Sequence, residues 1–214
     1  VVVMPAVRLA EDGFVLSDSL ARSINGQLAG AMGRFPASVA AYGKPGGGTW
    51  AGGDKIVLKD LGKTLRSIAT DGPDAFYTGW IADLIADDMK ANGGIITKKD
   101  LAAYQAQVRK PVTGSYRGYA IISMPPPSSG GVALIEMLNI LENFDLKQKG
   151  RYSPQTIHLI TEAMRRGFLD RARFLGDPDF SEIPVNKLTS KEHSKTLAAG
   201  IDLTKASASV ELGK

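Results

Sequence analysis

The sequence predicts an α+β fold, mostly helical with one β-hairpin. Two observations carry that reading. Apolar residues recur at three- and four-residue spacing through most of the 214 positions, as they do on the buried side of a helix. Only residues 108–124 switch to an alternating period, and they do so around a short Arg-Gly turn. The chain therefore reads as a single, incomplete domain over 1–214. Residues 1–107 are mainly helical, 108–131 form a hairpin and a Pro/Ser/Gly corner, 132–203 are helical again, and 204–214 are a linker.

The first segment, Ala6-Val7-Arg8-Leu9-Ala10, reads as the tail of a helix stopped at Gly13. Ser17 or Asp18 caps the next helix, which carries Leu20, Ile24 and Leu28 on one face, and Gly30, Gly33 and Pro36 weaken and end it. Residues 42–54 are a glycine-rich connecting loop. A dinucleotide fingerprint forced onto Gly46-Gly47-Gly48 fails because Pro45 stands where a strand should end and no helix pattern opens after Ala51. A triphosphate-binding loop fails because Gly53 is followed by Asp54.

Residues 60–69 form an amphipathic helix through Leu61, Leu65 and Ile68, broken at Gly72. Pro73-Asp74 open another, with Phe76, Trp80, Ile81, Leu84 and Ile85 as its apolar face and Asn92-Gly93-Gly94 as its stop. On that helix Asp83 and Asp87 lie one turn apart. Without a third ligand they read as a solvated face and not a metal site. Thr97 and Asp100 make a capping-box pair before a short helix over 101–107.

Residues 111–115 and 119–123 then flank Tyr116-Arg117-Gly118 as the hairpin. The strand must stop at Pro125-Pro126-Pro127, since each proline lacks a backbone donor and fixes φ. Ser128 or Ser129 caps the helix over 132–144, which is apolar nearly all round and reads as buried. Gly130-Gly131 at its start support two readings, an anion nest of free amides or a stiff corner that seats the helix on the hairpin. Ser153-Pro154 begin the longest helix. Its expected inner face is Ile157, Ile160, Thr161, Met164, Phe168, Ala172 and Leu175, and its expected outer face is a charge ladder of Glu162, Arg166 and Asp170. A last helix covers 191–199.

Composition excludes several classes. The 43% hydrophobic and 22% charged content is ordinary for a soluble globular protein. With 26 basic and 22 acidic residues interspersed, the net charge of +4 is too small and too scattered for a nucleic-acid face. No apolar run is long enough for a membrane helix. The absence of cysteine excludes disulfides and thiolate metal sites. The opening Val1-Val2-Val3-Met4-Pro5 holds no initiator methionine, so the chain reads as a piece of a longer protein.

Ser128, Ser129, His158 and His193 invite a serine-hydrolase reading. A nucleophile elbow needs a glycine before the serine dipeptide, and Pro127 stands there. His158 between Ile157 and Leu159 reads as a packing or capping residue, and His193 among lysines reads as exposed. The residues by themselves show no competent catalytic constellation.

An ordered series of motifs nonetheless resembles the large subunit of γ-glutamyltransferases, also called γ-glutamyltranspeptidases or glutathione hydrolases. The series begins with Pro5-Ala6-Val7-Arg8-Leu9-Ala10-Glu11-Asp12-Gly13-Phe14 and continues through Gly53-Asp54, Gly72-Pro73 and Phe76-Tyr77-Thr78-Gly79. It proceeds through Asn92-Gly93-Gly94-Ile95-Ile96-Thr97 and Tyr116-Arg117-Gly118-Tyr119 to the Met124–Gly131 corner and Leu138-Asn139-Ile140-Leu141-Glu142. Asp170-Arg171-Ala172-Arg173-Phe174-Leu175-Gly176-Asp177-Pro178-Asp179-Phe180 closes it.

The resemblance implies a partial αββα sandwich of the N-terminal-nucleophile hydrolases. It also implies a precursor that cleaves itself, and a partner small subunit whose N-terminal threonine attacks γ-glutamyl amides such as glutathione. The acyl group then passes to water or to an amino acid or peptide acceptor. A free α-amine of near-neutral pKa is a sensible base for that hydroxyl.

The family's Thr-Thr-His motif does not occur here, and Arg8 lies in a different motif from the family's carboxylate-gripping arginine. No catalytic, substrate-binding, cofactor-binding or metal residue is therefore carried onto this chain, no cofactor is implied, and the chain alone is expected to be inactive. The resemblance also implies a periplasmic or extracellular location. The alternatives are a related acylase or polyglutamate-processing enzyme, or a non-catalytic helical interaction module.

Overall fold

The computed structural model describes residues 2–212, which fall into two compact units divided between Ala106 and Gln107. The division lies beside the point where the sequence changes period.

In the first unit, α1 (Met4–Asp12) ends at Gly13, whose φ of 78° carries the chain into β1 (Phe14–Val15). Ser17 accepts a hydrogen bond from the Leu20 amide and opens α2 (Asp18–Ala29). Pro36 does not close that region as expected. A 3₁₀ turn (Met32–Arg34) follows Gly30, and Pro36 then occupies the first turn of α3 (Pro36–Tyr42), where its missing donor costs nothing.

The glycine-rich loop leads into β2 (Lys55–Ile56), which pairs antiparallel with β1, a second small sheet that two-residue strands leave no periodicity to reveal. The loop is pinned where it matters. The Asn25 side chain donates to the Trp50 carbonyl and accepts from its amide, both at 2.9 Å, while the buried indole donates to the Tyr42 carbonyl. Leu16, Ala21, Trp50 and Ile56 form the core beneath it.

α4 (Lys59–Asp71) packs on α1 through Gly62, where a Cβ would lie 2.4 Å from Glu11 Cγ. Leu61, expected on the inner face, is exposed. The next predicted helix is two, α5 (Asp74–Tyr77) and α6 (Trp80–Ala91), divided at Thr78-Gly79. Thr97 and Asp100 form the expected capping box, but α7 (Lys98–Ala103) starts directly after Thr97 and stops at Tyr104, short of 107. Tyr104 instead turns out to stack on Tyr77.

The second unit opens with the hairpin β3 (Val112–Tyr116) and β4 (Tyr119–Ser123). Arg117 and Gly118 both have positive φ, the two-residue turn that matches strand twist. The hairpin lies on α8 (Gly130–Glu142) so closely that a Cβ at Gly114 would meet Ile135 Cγ2 at 2.7 Å. Glu142 ties the turn down by accepting from the Arg117 amide and from Lys191, and these hydrogen bonds, Lys191 first, hold its carboxyl below the usual range.

After α9 (Leu146–Lys149), Ser153 caps α10 (Pro154–Phe174), and α11 (Val185–Leu188) and α12 (Lys191–Ala199) complete the bundle. The expected linker at 204–214 holds a short helix, α13 (Ser209–Leu212); residues 213–214, like Val1 of the opening run, lie outside the described residues.

α10 inverts the expected orientation. Ile157 (55%), Met164 (46%) and Phe168 (51%) are exposed, as is Ile160, while Glu162, Arg166 and Asp170 are buried. Close approach explains it. α10 meets α8 through Ala163 and Gly167, and a Cβ at Gly167 would already lie 2.8 Å from Met137 Cγ. The small-residue side is the one that fits, and the charged residues beside it enter the interior with partners.

Candidate functional site

The corner before α8 is built by exclusion of side-chain volume. A Cβ on Gly131 would come within 2.2 Å of the Met124 carbonyl and 2.7 Å of Val112 Cγ2, so only glycine lets the helix start against the strand end. The Pro126-Pro127 bond is cis. Ser129 occupies the cap position but makes no capping bond; its hydroxyl accepts from Arg171 Nε at 3.0 Å, and Ser128 Oγ accepts from the Gly130 amide at 3.3 Å.

The two histidines have other partners. His158 Nε2 lies 2.7 Å from the Asp202 carbonyl, a long-range tether where a packing or capping role was expected. His193 is not exposed as its lysine-rich surroundings suggested. Its Nε2 turns inward to lie 2.7 Å from Asp170 Oδ2 and 3.7 Å from Glu136 Oε1. The serines and histidines are thus engaged separately, which leaves the serine-hydrolase reading without a nucleophile–base pair. Asp83 pairs with Lys98, and the Gly46–Gly48 loop leads to a two-residue strand and not a phosphate-binding helix.

Among the described residues, two polar clusters lie inside the second unit. In one, Arg166 Nη1 donates to Glu162 Oε2 at 2.6 Å, while Nε and Nη2 reach the Leu197 and Gly200 carbonyls at the end of α12. Glu162 also accepts from the Ser207 amide and hydroxyl. Burial pushes the Glu162 carboxyl up, but the Ser207 hydrogen bonds and the Arg166 guanidinium outweigh it and hold the group below its ordinary value. Arg165, bonded to Ser207 and Ser209, ties the same tail segment to α10.

In the other cluster Glu136, Asp170 and His193 meet, one from each of α8, α10 and α12. Burial, with the Asp170 carboxyl beside it, pushes Glu136 up to about 9. Sequence reasoning missed this group because Glu136 sits in an apolar run and Asp170 was placed on a solvated face. A carboxylate among Val132, Ile135 and Ile140 was the one available signal.

Neither cluster contains a hydroxyl poised beside a free base. The arrangement is a braced helical platform with a large exposed apolar stripe on α10, and its ancestry is decided by comparison with known proteins. The gamma-glutamyltranspeptidase family model matches residues 1–213.

The chain belongs to the gamma-glutamyltranspeptidase family.

It is 46% identical over 211 residues to a glutathione hydrolase proenzyme of Escherichia coli, covering 99% of this chain and 36% of that protein. It is 42% identical to an acylase ACY 1 proenzyme of a Pseudomonas species, covering 96% of this chain and 36% of that protein. The solved γ-glutamyltranspeptidase of Helicobacter pylori superposes with a TM-score of 0.89 at 44% identity, over 97% of this chain and 59% of that one. The α+β fold is therefore a partial N-terminal-nucleophile-hydrolase fold, and the chain spans about a third of the length of the curated relatives it matches.

Proposed function

We propose that this chain is part of the large subunit of an enzyme that cleaves γ-glutamyl amides, glutathione among them, and passes the γ-glutamyl group to water or to an amino acid or peptide. The observation that carries this reading is the family match across residues 1–213.

The chain's own role is architectural. The hairpin, α8 and α10 make a platform braced by Glu142 at the turn and by Glu162–Arg166 beneath α12. Ile157, Ile160, Met164 and Phe168 offer an apolar stripe that a further part of the same protein covers, since such stripes on isolated domains mark interfaces. That part is the small subunit released by self-cleavage, whose N-terminal threonine performs the acyl transfer with its own amine as base. Residues 202–209 are tied to α10 through Glu162 and Arg165.

Expression of the complete reading frame tests the reading. It gives two polypeptides on a denaturing gel, and N-terminal sequencing of the smaller one begins at threonine. A single unprocessed polypeptide lacking γ-glutamyl turnover overturns it.

The acylase relative supports a second reading of the acyl group, tested by offering a γ-glutamyl anilide and an acylated cephalosporin side by side. Faster release from the anilide favours the first reading. We also propose a periplasmic or extracellular location, which cell fractionation tests. Among the described residues no helix is long and apolar enough to cross a membrane.

A further inference from the structure

The buried Glu136–Asp170–His193 cluster is not used by the proposed reaction, and its side chains leave a chemical demand unmet. Two carboxyl groups and an imidazole converge from three helices, with one ligand atom from each within 4.8 Å of the others. Glu136 is 1% exposed, yet its Oε1, turned toward His193 Nε2 at 3.7 Å, has no hydrogen-bond partner. A buried carboxyl oxygen in that state carries a desolvation cost with nothing to offset it. Two more orphaned oxygens stand on the same helices: Asn139 Oδ1, one turn beyond Glu136, and Ser194 Oγ, next to His193.

A proton shared between Glu136 and Asp170 would relieve their repulsion without bringing His193 to the unpartnered Oε1. A divalent cation relieves both. Ligand atoms about 2.0–2.1 Å from a tetrahedral centre lie roughly 3.3 Å apart, and the two separations from His193 Nε2, 2.7 and 3.7 Å, bracket that value. Two carboxylates with one imidazole suit zinc better than the all-oxygen shells favoured by magnesium or calcium.

We propose that Glu136, Asp170 and His193 bind one zinc ion that cross-links α8, α10 and α12. The ion completes the fold of the second unit, with water in the remaining position, and takes no part in acyl transfer. The proposal does not rest on the function proposed above.

The test uses the complete protein without an affinity tag, stripped with chelator and dialysed against zinc. Elemental analysis is expected to find about one zinc per chain. The Tm is expected to rise by about 2–4 °C at a hundredfold excess over Kd. Glu136→Gln keeps the side chain's shape and should lower zinc affinity at least tenfold while the stripped protein still folds; His193→Gln should do the same.

Should a variant fail to fold, X-ray absorption at the zinc edge of the unaltered protein decides the point, with two oxygens and one nitrogen from the protein at about 2.0–2.1 Å expected. Stripped and dialysed protein that retains no zinc overturns the proposal. So does zinc uptake that Glu136→Gln and His193→Gln leave unchanged, or an absorption spectrum without nitrogen. Manganese displacing zinc at equal concentration overturns the choice of metal.

Discussion

Replacing Arg166 by methionine removes the guanidinium that joins α10 to the end of α12 while keeping most of the aliphatic stem. Arg166 is 4% exposed and donates to Glu162 Oε2, to the Glu162 carbonyl, to the Leu197 carbonyl and to the Gly200 carbonyl. Its loss leaves a buried carboxylate with Ser207 as its remaining strong donor, and frees two carbonyls at a helix end.

Breaking a buried ion pair from one side costs about 3–5 kcal/mol. For a chain of this length the midpoint of thermal unfolding would fall by about 10 °C. Urea unfolding followed by circular dichroism measures the free energy directly. The double variant Arg166→Met with Glu162→Met, which removes both charges, should recover most of the loss, because an apolar pair of similar volume is often as stable as the ion pair it replaces. A single-variant cost below about 1 kcal/mol would refute the reasoning, as would a double variant no more stable than the single one.

Three further outcomes follow from the same geometry. Gly131→Ala should destabilise by about 1–3 kcal/mol because its Cβ meets the Met124 carbonyl, whereas Gly130→Ala, whose nearest atom is Ser128 Oγ at 3.5 Å, should be neutral or slightly stabilising; thermal unfolding of both variants checks the contrast. Glu162 is held below its ordinary value of 4.5, so its ionised form stabilises the fold above that pH and the contribution is lost as pH falls through the lower, folded value; the stability gap between the unaltered protein and Glu162→Gln should therefore narrow between pH 6 and pH 3. Thr97→Ala, which removes the capping box of α7, should cost about 1 kcal/mol by urea titration.

Local chemistry made much of this fold legible. Ser17, Thr97 and Ser153 cap the helices they were expected to cap, and Gly13, Gly72 and the Arg117-Gly118 turn stop or reverse the chain where expected. These signals are carried by single residues and their nearest neighbours, so tertiary context rarely overrides them. What failed was the direction of helix faces. The apolar stripe of α10 was expected inside, but Ala163 and Gly167 let the opposite side approach α8 more closely, and the charges there are satisfied internally.

That error hid the polar clusters as well. Glu162–Arg166 read as a surface ladder at a spacing that suits one, and Asp170 was grouped with them. Glu136, His193 and Asp170 are 34 and 23 residues apart along the chain in consecutive order of Glu136, Asp170 and His193, a separation that no spacing rule joins. The family, by contrast, was readable from an ordered series of short motifs, because their order survives even where each is weak alone.

On the proposed function, this chain is the structural platform of a γ-glutamyl-transferring enzyme and does not itself carry the nucleophile. The most direct measurement is release of chromophore from a γ-glutamyl anilide by the complete protein and, in parallel, by the 214-residue chain alone. The account predicts turnover by the complete protein, stimulated by a dipeptide acceptor, and none by the isolated chain. Turnover by the isolated chain, or a complete protein that processes itself yet releases no γ-glutamyl group, would contradict it.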